Sequence, residues 1–307
     1  MDQLAGMRVF THVVEANGFT AASSRLGLSR AAVSKHIAQL ESHLGGRLLN
    51  RTTRRVSLTE IGQIYYDRCK QILEDVSDAK CIVSGLNSEP RGSLRLNAPM
   101  SFGITQLAPL LNRFCQQHAQ VEIDLSLNDR VIDVVEEGYD LVLRIARLKD
   151  SNLIARKLAP SRHVICAAPD YLERKGRPKT PADLSKHACL RYSYTKHSHE
   201  WLVTGRSGEQ RVRIDGPLIT NNGEAICSAA VNGLGITYMP TFIAGDAIRS
   251  GALEVILPDY PCIELGIYAI YPSNRHLSAK VRTFIDFLLE EISDPPGWDR
   301  GIFTAGK

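Results

Sequence analysis

From Thr20 to Leu44 the chain spells a short helix, a glycine turn at Gly27 and a second helix with one apolar face and one small, polar, basic face. Ser29 is suited to cap the second helix, because its hydroxyl can accept from the unpaired N–H groups of the first turn. Leu28 is placed to staple onto Val33 across that cap. Val33, Ile37, Leu40 and Leu44 then recur at spacings of four, three and four, an apolar stripe that predicts a core-facing side. Arg30, Ala31, Ser34, Lys35 and Ala38 fall on the other side. Such a face is slim enough to enter a major groove, where Arg and Lys reach guanine or phosphate and Ser reaches either. Ala21, Ala22 and Leu26 make the packing face of the first helix, with Thr20 near its head, and Gly27 supplies the left-handed turn that ends it. Double-stranded DNA is the partner these features imply; a scaffold helix pair with a solvated basic face is the bland alternative.

Charge points the same way. Residues 1 to 60 hold Arg8, Arg25, Arg30, Lys35, Arg47, Arg51, Arg54 and Arg55 against Asp2, Glu15, Glu41 and Glu60, or 8 − 4 = +4. The whole 307-residue chain is also +4, so the remainder is neutral. A basic module joined to a neutral body is the asymmetry of a nucleic-acid reader with a second function.

Asp2 can cap a first helix whose Leu4, Met7, Phe10 and Val14 share a face. After Gly45 and Gly46, Leu48-Leu49 leads into Asn50-Arg51-Thr52-Thr53-Arg54-Arg55, and residues 56–59 alternate like a strand. A hairpin with arginines at its tip predicts a wing, in which Arg51, Thr52, Thr53 and Arg54 lie along phosphates or the minor groove. A solvated turn is the alternative. From Glu60 to Leu86 no proline intervenes, and Cys69, Ile72, Val76, Ala79, Val83 and Leu86 recur at threes and fours. This predicts a helix of about 40 Å with a coiled-coil seam for dimerisation; an amphipathic helix lying on its own domain is the competing reading. Residues 87–93 read as a breaker-rich hinge.

Beyond the hinge, strands and helices alternate, which predicts an α/β domain over residues 94–293 with a largely parallel sheet. Strands are expected at Leu94–Ala98, Val121–Leu127, Leu141–Ile145, Val164–Ala168, Val212–Ile214, Gly235–Met239 and Ile263–Tyr271. Helices are expected at Ile104–Gln117, Asp133–Glu137, Ile226–Asn232 and Ala279–Ile292. The Pro/Gly-rich stretch after Asp294 reads as a poorly ordered tail.

The first 60 residues resemble the winged helix-turn-helix of the LysR-type transcriptional regulators. The likeness is carried by Phe19-Thr20-Ala21-Ala22, Leu26-Gly27-Leu28-Ser29, Ala32-Val33-Ser34, Ile37, Leu40-Glu41, Leu44-Gly45, Leu48-Leu49, Arg51-Thr52 and Leu58-Thr59-Glu60-Ile61-Gly62. It continues through Asp140-Leu141-Val142-Leu143-Arg144, Ala168-Pro169-Asp170-Tyr171-Leu172 and Gly233-Leu234-Gly235-Ile236 to Pro240. The resemblance implies a wing domain at 1–60, a dimerisation helix at 61–86, and a two-lobed, periplasmic-binding-protein-like effector domain whose cleft binds a small molecule. It also implies a homodimer or homotetramer whose DNA-binding units are re-spaced by lobe closure, with RNA polymerase as a further partner. Many members carry Gln-Pro where this chain has Arg30-Ala31, so the bases read there are expected to differ.

Clefts in open α/β sheets lie beyond the carboxyl ends of strands, where helix N-termini present free N–H groups. Three junctions qualify: Pro99-Met100-Ser101-Phe102, Asn128-Asp129 and Asn221-Asn222-Gly223. In the family the first and third face each other. Candidate effector residues are therefore Ser101, Phe102, Asn128, Asn222 and Gly223, with Arg144 as a bidentate carboxylate receptor and Tyr194 and Phe102 as apolar walls. Glu224 would oppose an anion if it pointed inward. For each, a helix cap or a surface ion pair is the plainer role.

Other chemistry finds little support. Seven scattered cysteines without a C-x-x-C pair read as reduced thiols in a cytoplasm, although a redox sensor using Cys189 and Cys227 is a second hypothesis. No apolar run approaches a membrane span, and Met-Asp-Gln-Leu lacks a signal layout. Gly233-Leu234-Gly235 precedes a strand and lacks a third glycine, so it is no dinucleotide site. His197-Ser198-His199 has no further ligand at metal spacing. No catalytic residues, cofactor or metal are expected; an enzyme with a vestigial helix-turn-helix is the third hypothesis.

Overall fold

The computed structural model describes residues 2–51, 56–83, 89–130, 132, 134, 137–147, 154–195, 198–205, 208–272 and 277–303. The chain divides into two compact units, Met1–Ser88 and Glu89–Lys307.

The first unit begins with α1 (Gln3–Glu15), capped by Asp2, whose carboxylate accepts from Ala5 N at 3.2 Å. Then come α2 (Phe19–Leu26) and α3 (Arg30–Leu44). Gly27 ends α2 at φ 64°, and Ser29 Oγ accepts from Ala32 N at 3.1 Å to start α3. Both follow from the sequence. Val33, Ile37 and Leu40 are fully buried against Phe10, Val13 and Ala22. The predicted stripe stops there, since Leu44 is exposed, as are Leu28, Leu4 and Ala21. Leu28 therefore forms no buried staple, and α1 packs through Met7, Val9, Phe10 and Val13 instead.

β1 (Leu49–Arg51) and β2 (Val56–Leu58) pair antiparallel, Leu49 opposite Leu58. Residues 52–55, the predicted wing tip, lie outside the described residues, as does the Arg51 side chain. The Glu41 carboxylate receives Leu48 N at 2.9 Å and Leu49 N at 3.2 Å, tying α3 to the base of this hairpin. α4 (Glu60–Val83) starts on Thr59, whose Oγ1 accepts from Gly62 N at 2.9 Å and donates to Arg47 O at 2.8 Å. A Cβ at Gly62 would lie 1.9 Å from the Leu48 carbonyl oxygen, so only glycine fits. Cys69 does not belong to an outward seam: it is fully buried, with Tyr65, Tyr66 and Leu73 packed on the same core and Phe10 5.7 Å from the Tyr65 ring. The first turns of α4 lie on their own domain because the residues facing α1 are apolar. The side chains of Ala79 and Val83, and all of Leu86, lie outside the described residues.

In the second unit β3 (Gly92–Ala98) opens inside the predicted hinge. α5 (Met100–Phe102), a π turn (Gly103–Leu107) and α6 (Ala108–Gln117) run on from it, followed by β4 (Val121–Leu127) and β5 (Leu141–Ala146). Next are β6 (Ile154–Ser161), β7 (His163–Ala167), α7 (Pro169–Lys175), β8 (Cys189–Tyr192), β9 (Glu200–Gly205), β10 (Gly208–Arg213) and β11 (Ile219–Thr220). α8 (Gly223–Val231), β12 (Ile236–Pro240), α9 (Thr241–Arg249), β13 (Glu254–Ile256), β14 (Leu265–Tyr271) and α10 (Ala279–Glu291) complete it. The helix expected at Asp133–Glu137 falls mainly outside the described residues; Val134 and Glu137 are in turns.

Two five-stranded sheets result, ordered β4-β3-β5-β14-β6 and β11-β8-β12-β7-β13. Each is half parallel and half antiparallel, not largely parallel. β4, β3 and β5 run parallel, while β14 pairs antiparallel with β5 and β6. Helical crossovers within one lobe yield parallel neighbours, whereas β14 returns from the other lobe and enters the opposite way. The chain crosses between lobes twice, at Arg162 and again between β13 and β14.

The two lobes have distinct core clusters, joined through α9, whose Phe242 sits in the first and whose Ile243 packs on both. The first centres on Phe114, whose ring meets Phe284 at 4.9 Å and Phe287 at 5.3 Å. The second gathers β7, β8, β12 and α8 around Cys166, Leu190 and Ile236. Asp140 Oδ2 receives Arg95 N at 3.0 Å, and the Tyr171 hydroxyl receives Ala188 N at 3.0 Å, which explains two of the sequence landmarks. Residues after Asp294 are ordered through Phe303, contrary to expectation, and include a short 3-10 turn at Gly297–Asp299.

Replacing Phe114 with Ala removes the ring that α6 shares with α10 and should cost the second unit about 3–5 kcal/mol. Both tryptophans, Trp201 and Trp298, lie in that unit, so a urea titration followed by their fluorescence reads it alone, and the midpoint should fall sharply.

Candidate functional site

The outward face of α3 is as the periodicity predicts. Thr20, Ser29, Arg30, Ala31 and Lys35 are exposed and Ser34 is half-buried, opposite the buried Val33, Ile37 and Leu40. Ser29 serves the helix as its cap. Arg51, Thr52, Thr53 and Arg54 belong to the segment whose side chains lie outside the described residues. Along α4, Ile61 and Ile64 are 64% and 62% exposed, and Ile72 is exposed on the following turns.

The second constellation sits where the lobes meet. α5 of the first lobe and the N-terminus of α8 in the second approach so closely that a Cβ on Gly223 would fall 2.5 Å from Ile243 Cδ1 and 3.0 Å from Ser101 Oγ. Ser101 Oγ donates to Glu224 Oε2 at 2.6 Å, and Asn222 Nδ2 lies 3.3 Å from Met100 Sδ. Asn222 Oδ1 caps α8 by accepting from Ala225 N at 2.8 Å. The first and third predicted junctions therefore do face each other. Glu224 points inward, and its Oε1 is buried without a hydrogen-bond partner among the described residues, as is Asn128 Oδ1.

Asp129, beside Asn128, is the more engaged residue of the second junction. Its Oδ1 accepts from Met100 N at 3.2 Å, and the Tyr192 hydroxyl donates to its carboxylate. Burial pushes its pKa up, against the opposing pull of those two donors and of Arg144, while Glu224 adds to the rise. Burial likewise lowers the Arg144 pKa, with Asp129 opposing. Arg144 is not poised to grip a carboxylate. Its Nη1 donates to Asn97 Oδ1 at 2.9 Å and to Leu143 O at 3.2 Å, and its Nη2 donates to Arg130 O at 3.1 Å. Phe102 is not a wall either: fully buried, it meets Phe242 edge-on at 5.5 Å. Tyr194 is 51% exposed and touches Tyr192 at 6.0 Å. The sequence reading bypassed Asp129 for its neighbour and missed Tyr192, because β8 lacks a strong alternation.

The remaining candidates resolve simply. Cys189 and Cys227 are unbonded thiols, and burial raises both pKa values, Cys189 to about 12. Thiolate is the form that reacts with oxidants, so neither is primed. His199 accepts from Arg191 Nη1 at 2.7 Å, and His197 lies outside the described residues. Among the described residues no group of three His, Cys, Asp or Glu could hold a metal ion, and no helix is long and apolar enough to cross a membrane.

A three-helix unit with a small hairpin, followed by a two-lobed unit with facing helix N-termini, is matched along nearly its whole length by known proteins. The family described as "Bacterial regulatory helix-turn-helix protein, lysR family" matches residues 4–63, and "LysR substrate binding domain" matches residues 87–293. The chain belongs to the LysR-type transcriptional regulators. An uncharacterized HTH-type transcriptional regulator of Haemophilus influenzae is 40% identical over 281 residues, covering 92% of this chain and 98% of that protein. The HTH-type transcriptional regulator DmlR of Escherichia coli is 36% identical over 95% of each chain. Among solved structures, the LysR-type regulator CrgA of Neisseria meningitidis superposes with a TM-score of 0.62 at 32% identity, covering 94% of this chain and 98% of that one. As a LysR-type regulator the chain joins a DNA-binding domain to an effector-binding domain, and the family consists of transcriptional regulators that bind DNA and small molecules as oligomers.

Two outcomes follow. Ser29→Ala removes the α3 cap and should destabilise the first unit by about 1 kcal/mol, read as a lower thermal midpoint by circular dichroism. Asp129→Asn keeps an acceptor for Met100 N while removing a carboxylate that burial penalises. Its sign is fixed: a carboxyl pKa raised by folding weakens the fold as pH rises through the ordinary carboxylate range. The Asn variant should therefore melt higher at pH 7 and lose that advantage near pH 4.

Proposed function

We propose that this LysR-type regulator acts in the cytoplasm as a homodimer or homotetramer that reads a pseudo-palindromic site on double-stranded DNA. In this reading Arg30, Ala31, Ser34 and Lys35 enter the major groove, with Thr20 and Ser29 at its rim. Arg51, Thr52, Thr53 and Arg54 follow the phosphates from the wing. The observation that carries it is the exposed, basic, small-residue face of α3 directly opposite its buried apolar stripe. Ile61, Ile64 and Ile72 on α4 supply apolar area for a second copy.

The effector would enter between α5 and α8, beside Ser101, Asn128, Asp129, Tyr194, Asn222 and Gly223, with Arg144 and Phe102 holding the site from behind. Arg144 spends its terminal nitrogens on the protein, while Glu224 Oε1 and Asn128 Oδ1 are unspent acceptors. A neutral or cationic molecule rich in hydrogen-bond donors suits that lining better than an anion. Its binding would alter lobe closure and so the spacing of DNA-binding units and the approach of RNA polymerase. The role is regulatory rather than enzymatic.

Genomic footprinting of the full chain tests this. Arg30→Ala should lose discrimination at one base pair by about 1–3 kcal/mol. Lys35→Ala should weaken all sites alike and reduce the slope of log affinity against log salt by about one. Unaltered footprints in both variants would overturn the assignment of α3 as the reading helix.

A further inference from the structure

Three groups meet where the chain passes between the lobes. Arg162 is the single residue between β6 of the first lobe and β7 of the second, and Glu264 is the last residue of the return crossover before β14. Arg162 Nε pairs with Glu264 at 3.2 Å, so one guanidinium spans both covalent connections. Its Nη1 pairs at 2.6 Å with Asp299, a carboxylate only 3% exposed that comes from the segment following α10. The second Asp299 oxygen accepts from Thr241 Oγ1 at 2.6 Å, and Thr241 Oγ1 also lies 3.2 Å from the Arg162 carbonyl.

The segment carrying Asp299 is anchored in both lobes. On the first-lobe side Trp298 meets Phe102 edge-on at 5.9 Å and packs against that core. On the second-lobe side Arg249 Nη1 of α9 donates to the carbonyls of Trp298 and Arg300, each at 3.2 Å, and Ile302 packs on that lobe's core. Phe303 lies under the Arg162 guanidinium at 5.8 Å. The indole Nε1 is buried without an acceptor among the described residues, so the Trp298 side chain is held by ring packing and its backbone by Arg249. Phe102, its partner, immediately follows Ser101, which bonds Glu224 across the cleft.

We propose that residues 294–303 form a non-covalent tie across the lobe hinge, clamped by Asp299 on Arg162 and geared to the cleft through Trp298 and Phe102. The tie reinforces the seating of Phe242 of α9 in the first-lobe core. Two crossover strands alone permit bending and twisting; the Phe242 contact and the attachment between α10 and α9 together restrict both. Movement of α5 shifts the Phe102 ring against Trp298, and so loads or releases the clamp. The tie acts whatever molecule the cleft accepts and whatever DNA the first unit reads.

Hydrogen exchange by mass spectrometry on the full chain tests it, comparing Asp299→Asn, Arg162→Gln, the double variant, Trp298→Ala and Trp298→Phe. Asp299→Asn should speed exchange about tenfold at residues 161–164, 262–266 and 100–107, with β3 and β12 as protected as before. Adding Arg162→Gln should bring a further rise at 262–266, from loss of the Glu264 pair, and little further change at 100–107, because both variants remove the Asp299 clamp. Trp298→Ala should reproduce the effect at 100–107, and Trp298→Phe should restore native rates. Faster exchange confined to 296–303 would show a passively packed segment and overturn the proposal. So would a uniform rise through β7 and β12, which marks loss of the second-lobe fold, and so would additive effects of the two clamp variants at 100–107.

Discussion

The pairing of β14 with β6, in which Leu265 sits opposite Ser161, sets what the second unit can do. It brings both interlobe crossovers side by side at the rim of one sheet. Each lobe centres on its own core cluster, and the lobes meet at that narrow seam, at Phe242 and Ile243 of α9 and at the segment following α10. The antiparallel half of the first sheet descends from this long-range register, since β14 enters against both β5 and β6, while in the second sheet β7, entering from the other crossover, runs against β12 and β13. Pairing of this kind gains its stability only after a large loop has closed.

Legibility in the sequence follows the range of the interaction involved. The Ser29 cap, the Gly27 turn, the Asp2 cap and the buried Val33, Ile37 and Leu40 stripe are decided within one or two turns, and local pattern identifies them. A heptad-like count draws Cys69 outward, yet it faces inward, into the core it shares with Phe10 and Val13 of α1. β6, β8 and β9 escape notice because their residues alternate weakly. The parallel expectation fails because strand direction here is set by the crossovers, which no local spacing records.

The candidate site shows the same division. The three junctions are visible as strand-end clusters, and all three meet, the first bonding the second through Met100 N and Asp129 and the third through Ser101 and Glu224. The roles within them are not visible, because they depend on partners far along the chain. Asn97 and the Arg130 carbonyl occupy Arg144, Phe242 takes Phe102 into the core, and Ser101 engages Glu224. The stretch after Asp294 looks like a disordered end by composition alone. It is ordered because Trp298 and Asp299 find Phe102, Thr241 and Arg162 in two different lobes.

Gly62 has a wider meaning for how motion passes through the first unit. With its α-carbon against the Leu48 carbonyl, and Thr59 bonded to both Gly62 and Arg47, the hairpin and the long helix share a rigid joint. Torque applied along α4 would reach the base of the hairpin through this joint, with Thr59 alone between β2 and α4. A genetic screen for lost regulation should therefore recover changes at position 62, a residue with no side chain to touch a base, as readily as changes on the reading face itself.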